Sequence, residues 1–245
     1  MSVRTLYSYL DQGLFTARNI DLKRKVHFKP RKCHKTQITD RTVFTNRLYR
    51  DFCSLALTSY VQMDTVYSSR ESKKTLLTMF FTKEKLFLAF LMNRCTKGAV
   101  RLIFDRLENR MGTYEFASVF EYILTDRGSE FGDPDALETG VNGIQRSSIY
   151  YCDPMQSGQK GGLEQAHTML RMILPKGTCF EFLTQWDVNL IVNHINSTPR
   201  ESLDGKTPYS VALETLGEEV LNAFQLRPIA PDEVNLTPKL IRFNH

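Results

Sequence analysis

A chain of 245 residues, 42% hydrophobic and 24% charged with a net charge of +5, is long enough to bury a proper core, and its composition excludes a disordered or collagenous protein. No apolar run reaches the roughly 18–20 residues that cross a bilayer. The longest, 76–92, is broken by Lys83, Glu84 and Lys85, and no apolar N-terminal region marks a secretory signal. Five cysteines, at positions 33, 53, 95, 152 and 179, form neither a CxxC pair nor an even disulfide framework, so a reducing, cytoplasmic setting with no membrane partner is expected.

Residues 1–17 carry Leu6, Tyr7, Leu10, Leu14 and Phe15 at the spacing of one short amphipathic helix, which cannot bury its own face. Residues 18–56 read as a basic, mostly non-globular linker. Lys23, Arg24, Lys25, Lys29, Arg31, Lys32, Lys35, Arg41 and Arg47 stand there against Asp21 and Asp40. Such a run suits either a DNA phosphate backbone or a solvated linker.

The texture changes over 57–226, where a globular α/β core is expected. The stretch 58–67 is rich in β-branched and aromatic residues and predicts a strand with Asp64 inside it; 74–81 and 86–92 predict two more, completing a meander. Val100, Ile103, Phe104 and Leu107 have helical spacing within 96–110. Short apolar runs at 120–124 and 149–152 predict two strands suited to parallel pairing. A helix containing Glu164 follows, with Ser157 as a candidate cap and Leu163, Ala166, Leu170, Ile173 and Leu174 inward. Thr184 with Asp187, and Thr207 with Pro208, open two further helices. Residues 227–245 read as a loosely attached tail.

An acid inside an apolar strand is costly unless something neutralises it. Asp64 is therefore hydrogen-bonded, exposed on an open sheet face, or a metal ligand. Asp126 ends a strand, where ligands gather in open α/β sheets, and Glu164 lies near the start of a helix. Three carboxylates from separate elements suit magnesium or manganese, and two such ions serve phosphoryl transfer between nucleic-acid oxygens. On the helix, Glu164, His167, Thr168 and Arg171 share one face, a metal ligand beside phosphate contacts or an ordinary polar face. With Lys160 and Arg127 nearby, and Lys23, Arg24, Lys25, Arg31 and Lys32 from the basic segment, these residues are the candidate DNA contacts. Gly161 and Gly162 inside a helix each cost roughly 1 kcal/mol against alanine, tolerable where a neighbour approaches closely or the helix starts irregularly. Cys33-His34 has no second ligand pair for zinc, and no phosphate-binding glycine loop supports a nucleotide cofactor.

Several motifs in order carry a resemblance. They are Gln62-Met-Asp64-Thr-Val66, Leu124-Thr-Asp126-Arg-Gly-Ser-Glu-Phe131, Tyr150-Tyr-Cys-Asp-Pro-Met155, Gln159-Lys-Gly-Gly-Leu-Glu164, and His194-Ile-Asn-Ser197 leading to Gly205-Lys-Thr-Pro-Tyr209. Together they resemble bacterial insertion-sequence transposases of the IS-thirty family, over nearly the whole chain. The resemblance implies a ribonuclease-H-like fold, a mixed five-stranded sheet flanked by helices, similar to retroviral integrase cores. It implies that Asp64, Asp126 and Glu164 form an Asp-Asp-Glu triad holding two Mg²⁺ or Mn²⁺ ions. It further implies cutting and joining of double-stranded DNA at the element's ends and at its target, by a homo-oligomer. Residues 4–10 look like the end of a helix-turn-helix recognition helix, so a copy shortened at its N-terminus is expected. Departures from the family pattern are Arg127 in place of Asn, and Gly158 and Val61 in place of Trp. Two alternatives stay open: an inactive DNA-binding or dimerising remnant, and a nuclease of the ribonuclease H type.

Overall fold

A computed structural model describes residues 2–17 and 41–241, which fall into two compact units divided between Ile38 and Thr39. In the first unit the expected helix forms as α1, Val3–Asp11, with the Ser2 hydroxyl accepting from the Thr5 amide. Lys23, Arg24, Lys25, Arg31 and Lys32 lie outside the described residues.

The second unit opens with α2, Tyr49–Ser54, and then builds its sheet from β1, Val61–Tyr67, β2, Thr75–Phe81, and β3, Phe87–Met92. Two helices, α3, Lys97–Met111, and α4, Thr113–Val119, lead to β4, Tyr122–Thr125. The short α5, Pro134–Glu138, precedes β5, Ser148–Tyr151. Four helices close the chain: α6, Gly161–Ile173, α7, Gln185–Asn196, α8, Pro208–Leu216, and α9, Glu218–Ala223. The strand order is β3-β2-β1-β4-β5, with β1, β2 and β3 antiparallel and β1, β4 and β5 parallel. This mixed five-stranded sheet flanked by helices is the ribonuclease-H-like architecture expected from the motifs.

Both faces of the sheet are covered. Every residue of β2 is buried, and its side chains alternate between two layers. Thr78 and Phe80 meet α6, whereas Phe81 packs on Phe120 and Phe224 in an aromatic layer completed by Phe104 and Phe116. The starts of α7 and α8 follow the caps legible in the sequence. Thr184 and Asp187 form a capping box on α7, and Thr207 caps α8 with Pro208 at its first position, whereas Ser157 lies three residues before the cap position of α6, which is Lys160; Thr96 caps α3 as well.

Two boundaries move. Residues 41–56 are not linker: Phe44 and Phe52 are buried, Phe44 packing edge-on against Tyr151 and Phe52 against Tyr60 and Tyr150. Arg47, counted above among the phosphate-following charges, pairs with Glu138 and Asp135 instead. Aromatic burial outweighs the basic composition here. Nor are residues 227–241 loosely attached. The Arg227, Ile229 and Asn235 amides donate to Asn193, Ser197 and His194, and Ile241 is buried. Backbone donors satisfied by buried side chains hold this segment down.

One polar cluster anchors the β4–β5 connection. Arg146, 1% exposed, donates to Asp105 and Glu108 at 2.7 Å each and to the Leu137 and Ala136 carbonyls, and its guanidinium lies over the Phe104 and Phe116 rings. Glu108 also accepts from the Thr113 hydroxyl and the Val141 amide. These bonds outweigh the effect of burial, which acts to raise its pKa, and hold the Glu108 carboxyl below the usual carboxylate range.

Candidate metal centre

The sheet register brings two acids together. Val61 pairs with Ile123 and Gln62 with Leu124 across parallel β1 and β4, and two residues further on the strands reach Asp64 and Asp126. Both carboxylates therefore stand at one level, Asp64 in the middle of β1 and Asp126 just past the carboxyl end of β4. Asp64 lies within β1 and accepts from the Thr65 amide; Asp126 follows β4 and accepts from the Gly128 amide at 2.9 Å.

A cation sits between them. The Lys160 ammonium is 2.9 Å from Asp64 Oδ2 and 3.5 Å from Asp126 Oδ2, and donates to the Met63 carbonyl at 3.3 Å. Its side chain is 6% exposed, against 27% for Asp64 and 46% for Asp126. Burial pushes the Asp126 carboxyl above its usual range; the Lys160 charge opposes this, and the neighbouring Asp64 charge adds to it. Lys160 was expected to face DNA. The fold instead turns it inward onto the acid pair.

The start of α6 is what aims Lys160. A 3₁₀ turn over Ser157–Lys160 runs into the helix, and Lys160 at the cap position supplies no side-chain cap. Gln62, buried in β1, takes over that task by accepting from the Leu163 amide at 2.9 Å. Gly162 allows the close approach: a Cβ there would meet the Phe80 ring at 2.5 Å and Gln62 Oε1 at 3.3 Å, whereas Gly161 faces open space. The double glycine is thus one close contact and one free position at an irregular helix start.

Glu164 lies in the first turn of α6 with an exposed side chain. It does not join the two aspartates: among the described residues, no three His, Cys, Asp or Glu side chains converge closely enough to hold one ion. The rest of the helical face divides. His167 turns to the sheet, its Nε2 2.8 Å from the Thr78 hydroxyl. That hydroxyl spends its own proton on the Asp64 carbonyl, so Nε2–H is the donor. Burial lowers the His167 pKa. Arg171 donates to the Tyr67 and Leu174 carbonyls, tying α6 to the end of β1. Thr168 is exposed, its hydroxyl bonded to the Glu164 carbonyl. Arg127 donates to the Cys152 carbonyl, pairs with Asp153 at 3.7 Å and lies over the Phe44 ring.

Glu130 escaped notice in the sequence. It is 5% exposed, accepts from the Tyr67 hydroxyl, and flanks Gly128 together with Asp126: a Cβ at Gly128 would meet Glu130 Oε2 at 2.8 Å and Asp126 Oδ1 at 3.0 Å. Its position four residues after Asp126 was the available signal. Only the 3₁₀ turn Ser129–Phe131 folds it back.

Comparison with known proteins agrees with the motifs. The chain is 33% identical over 88 residues to the transposase InsI of insertion element IS30A from Escherichia coli K12, spanning 35% of this chain and 21% of that protein. It is 34% identical over 100 residues to the transposase of IS1086 from Cupriavidus metallidurans, covering 41% of this chain and 28% of that one. A longer match, 24% over 208 residues, covers 82% of this chain and 60% of the putative integrase ORF3 of Spiroplasma virus SpV1-R8A2 B. The chain thus spans between a fifth and a third of the length of these transposases. No family model matches. Similar solved structures include the catalytic core domain of BIV integrase (22% identity, TM-score 0.44, 64% of this chain and 94% of that one). The HTLV-2 integrase catalytic core in complex with magnesium is another (17%, 0.44, 62% and 94%). The relatives of this chain are insertion-sequence transposases, the IS30 type among them, together with an integrase, as the ordered motifs predicted.

Proposed function

We propose that this chain carries the catalytic core of a DNA transposase that cuts and joins DNA strands at the ends of an insertion sequence. The observation that carries the reading is the convergence of Asp64 and Asp126, at one level of the parallel strands β1 and β4, on one shared cation. Oxygens of Asp64, Asp126 and the Met63 carbonyl already surround the Lys160 ammonium, a hard donor set that fits Mg²⁺ or Mn²⁺. Asp64 and Asp126 would hold the metal, with Glu164 as third ligand from α6. Bound there, two divalent ions supply an activated attacking oxygen and stabilisation of the leaving one.

The chain's own residues do the rest. Gln62 and Gly162 hold the start of α6, which carries Glu164, against the sheet. Arg171 locks the far end of the same helix to β1. Double-stranded DNA, the element's ends and the target, would approach over exposed Glu164 and Thr168, with Arg127 at one side and the basic residues Lys23, Arg24, Lys25, Arg31 and Lys32 following its phosphates. A homo-oligomer would bring two DNA ends together. Among the described residues, no helix is long and apolar enough to cross a membrane.

The test is nicking of duplex DNA bearing the element's ends. Activity is expected only with Mg²⁺ or Mn²⁺, and Asp126→Asn is expected to reduce it to background. Equal activity of the mutant and the parent chain would remove the catalytic reading.

A further inference from the structure

The buried Lys160 ammonium has no part in the proposed chemistry. Lys160 stands at the point the metal ligands share. Its ammonium donates to the Met63 carbonyl and is ion-paired with Asp64 Oδ2 at 2.9 Å and Asp126 Oδ2 at 3.5 Å. Nothing else in the fold demands a lysine at this position. Its stem could have been an apolar residue, and its backbone is only the cap of α6. Burying an ammonium is costly unless its partners are close. Here they are close, and they are the same carboxylates a divalent ion would need.

We infer that Lys160 is a built-in counterion that occupies the cation position of the metal-free chain and is displaced outward when a divalent ion binds. The inference rests on the proposed metal site. Charge decides the exchange. Two carboxylates and one ammonium leave a net charge of −1, which holds the site together without metal. A divalent ion beside the same carboxylates repels the ammonium at close range, where the partly buried setting screens little. The site is open on one side, since 46% of the Asp126 side chain reaches solvent. Lys160 sits at the junction of a 3₁₀ turn and the helix and gives α6 no side-chain cap, so moving its side chain removes no helix hydrogen bond. Once outside, its charge lies near Glu164 and Thr168, on the side where DNA phosphates are proposed to approach. The sequence-based expectation of a DNA contact and the observed burial are then two positions of one side chain. Lys160 also sets the metal requirement: an ion must compete with it, so the affinity of the empty site is held below what two free carboxylates would offer.

The experiment is amine footprinting of the whole chain without DNA. The protein is acetylated with an amine-reactive reagent in EDTA, in Mg²⁺ and in Ca²⁺, and each lysine is quantified by mass spectrometry. Lys160 is expected to be protected in EDTA and to become at least about fivefold more reactive with either metal, with exposed Lys83 and Lys206 unchanged as internal controls. Binding of Mn²⁺, followed by electron paramagnetic resonance, is expected to tighten about tenfold in Lys160→Met and to be lost in Asp126→Asn. Reactivity of Lys160 in EDTA equal to that of Lys83, or continued protection while Mn²⁺ binds in an Asp126-dependent way, overturns the counterion and leaves the metal site standing. Absence of any Asp126-dependent Mn²⁺ binding in both the parent chain and Lys160→Met overturns the metal site itself, and the counterion with it. Footprinting needs no substitution, so a poorly folded Lys160→Met does not blunt the test.

Discussion

Arg146 and Lys160 are buried basic side chains that each stand between two carboxylates, and they are built for opposite purposes. Around Arg146, the guanidinium is fully enclosed, its partners Asp105 and Glu108 lie at 2.7 Å, and carbonyls and aromatic faces take the remaining donors. Around Lys160, the ammonium is buried but its partners are not. Asp64 and Asp126 keep part of their surface in water, and the distances, 2.9 and 3.5 Å, are unequal. A fully satisfied network rigidifies the chain around it; a partly satisfied one can exchange its cation. One charge arrangement thus serves as a structural rivet around Arg146 and as a replaceable ligand set around Lys160.

The largest effect expected from breaking the comparison is at the rivet. Arg146→Met strands Glu108 in the interior and should cost about 3–5 kcal/mol in urea denaturation. Lys160→Met should cost clearly less, because Asp64 and Asp126 can hydrate. Equal losses would mean that the two clusters do not differ in kind. Next comes the helix that carries Lys160. Gly162→Ala must push the Phe80 ring or α6 aside and should cost about 1–3 kcal/mol, whereas Gly161→Ala, in open space, should lie within about 1 kcal/mol of neutral or stabilise. The same urea titrations read both.

Smaller effects concern pH, and their signs differ between the clusters. The Glu108 carboxyl is held low in the fold, so its contribution is present above the unfolded carboxylate range and is lost as pH falls through the folded value. The Asp126 carboxyl is held high, so the stability linked to its protonated form is lost as pH rises through the folded value, and its charge destabilises the metal-free chain at neutral pH. Glu108→Gln should therefore lower the melting temperature at pH 7, and Asp126→Asn should raise it, with both differences shrinking toward acid pH. A loss of stability in Asp126→Asn at pH 7 would place it with the rivet. The smallest effect is expected at His167, whose pKa burial lowers in the fold. The unfolded chain takes up its proton first as pH falls below about 6.5, so stability should decline from there. His167→Gln should flatten that part of the profile in a melting series from pH 7.5 to 5.

The face of α6 shows how far helical spacing reaches. Glu164, His167, Thr168 and Arg171 do share one side of the helix, and Glu164 and Thr168 are exposed there. Its flank, however, meets the sheet, so His167 bonds to Thr78 and Arg171 to the Tyr67 carbonyl. A periodicity gives the angle of a side chain about its own axis but not where the neighbouring surface begins. The inward turn of Glu130 was hidden for a related reason, because a short turn after a strand leaves no periodic trace.

The features legible in the amino-acid sequence were local: the five strands, the capped starts of α7 and α8, one aspartate inside a strand and another at a strand end. Each of these follows from side-chain chemistry and short-range spacing. What only the tertiary structure decided was adjacency. Parallel pairing of β1 with β4 sets Asp64 beside Asp126, Gln62 caps a helix a hundred residues away in the chain, and the approach of α6 to Phe80 turns Lys160 inward between the acids. These contacts join residues far apart in sequence, and no local preference of either partner encodes them.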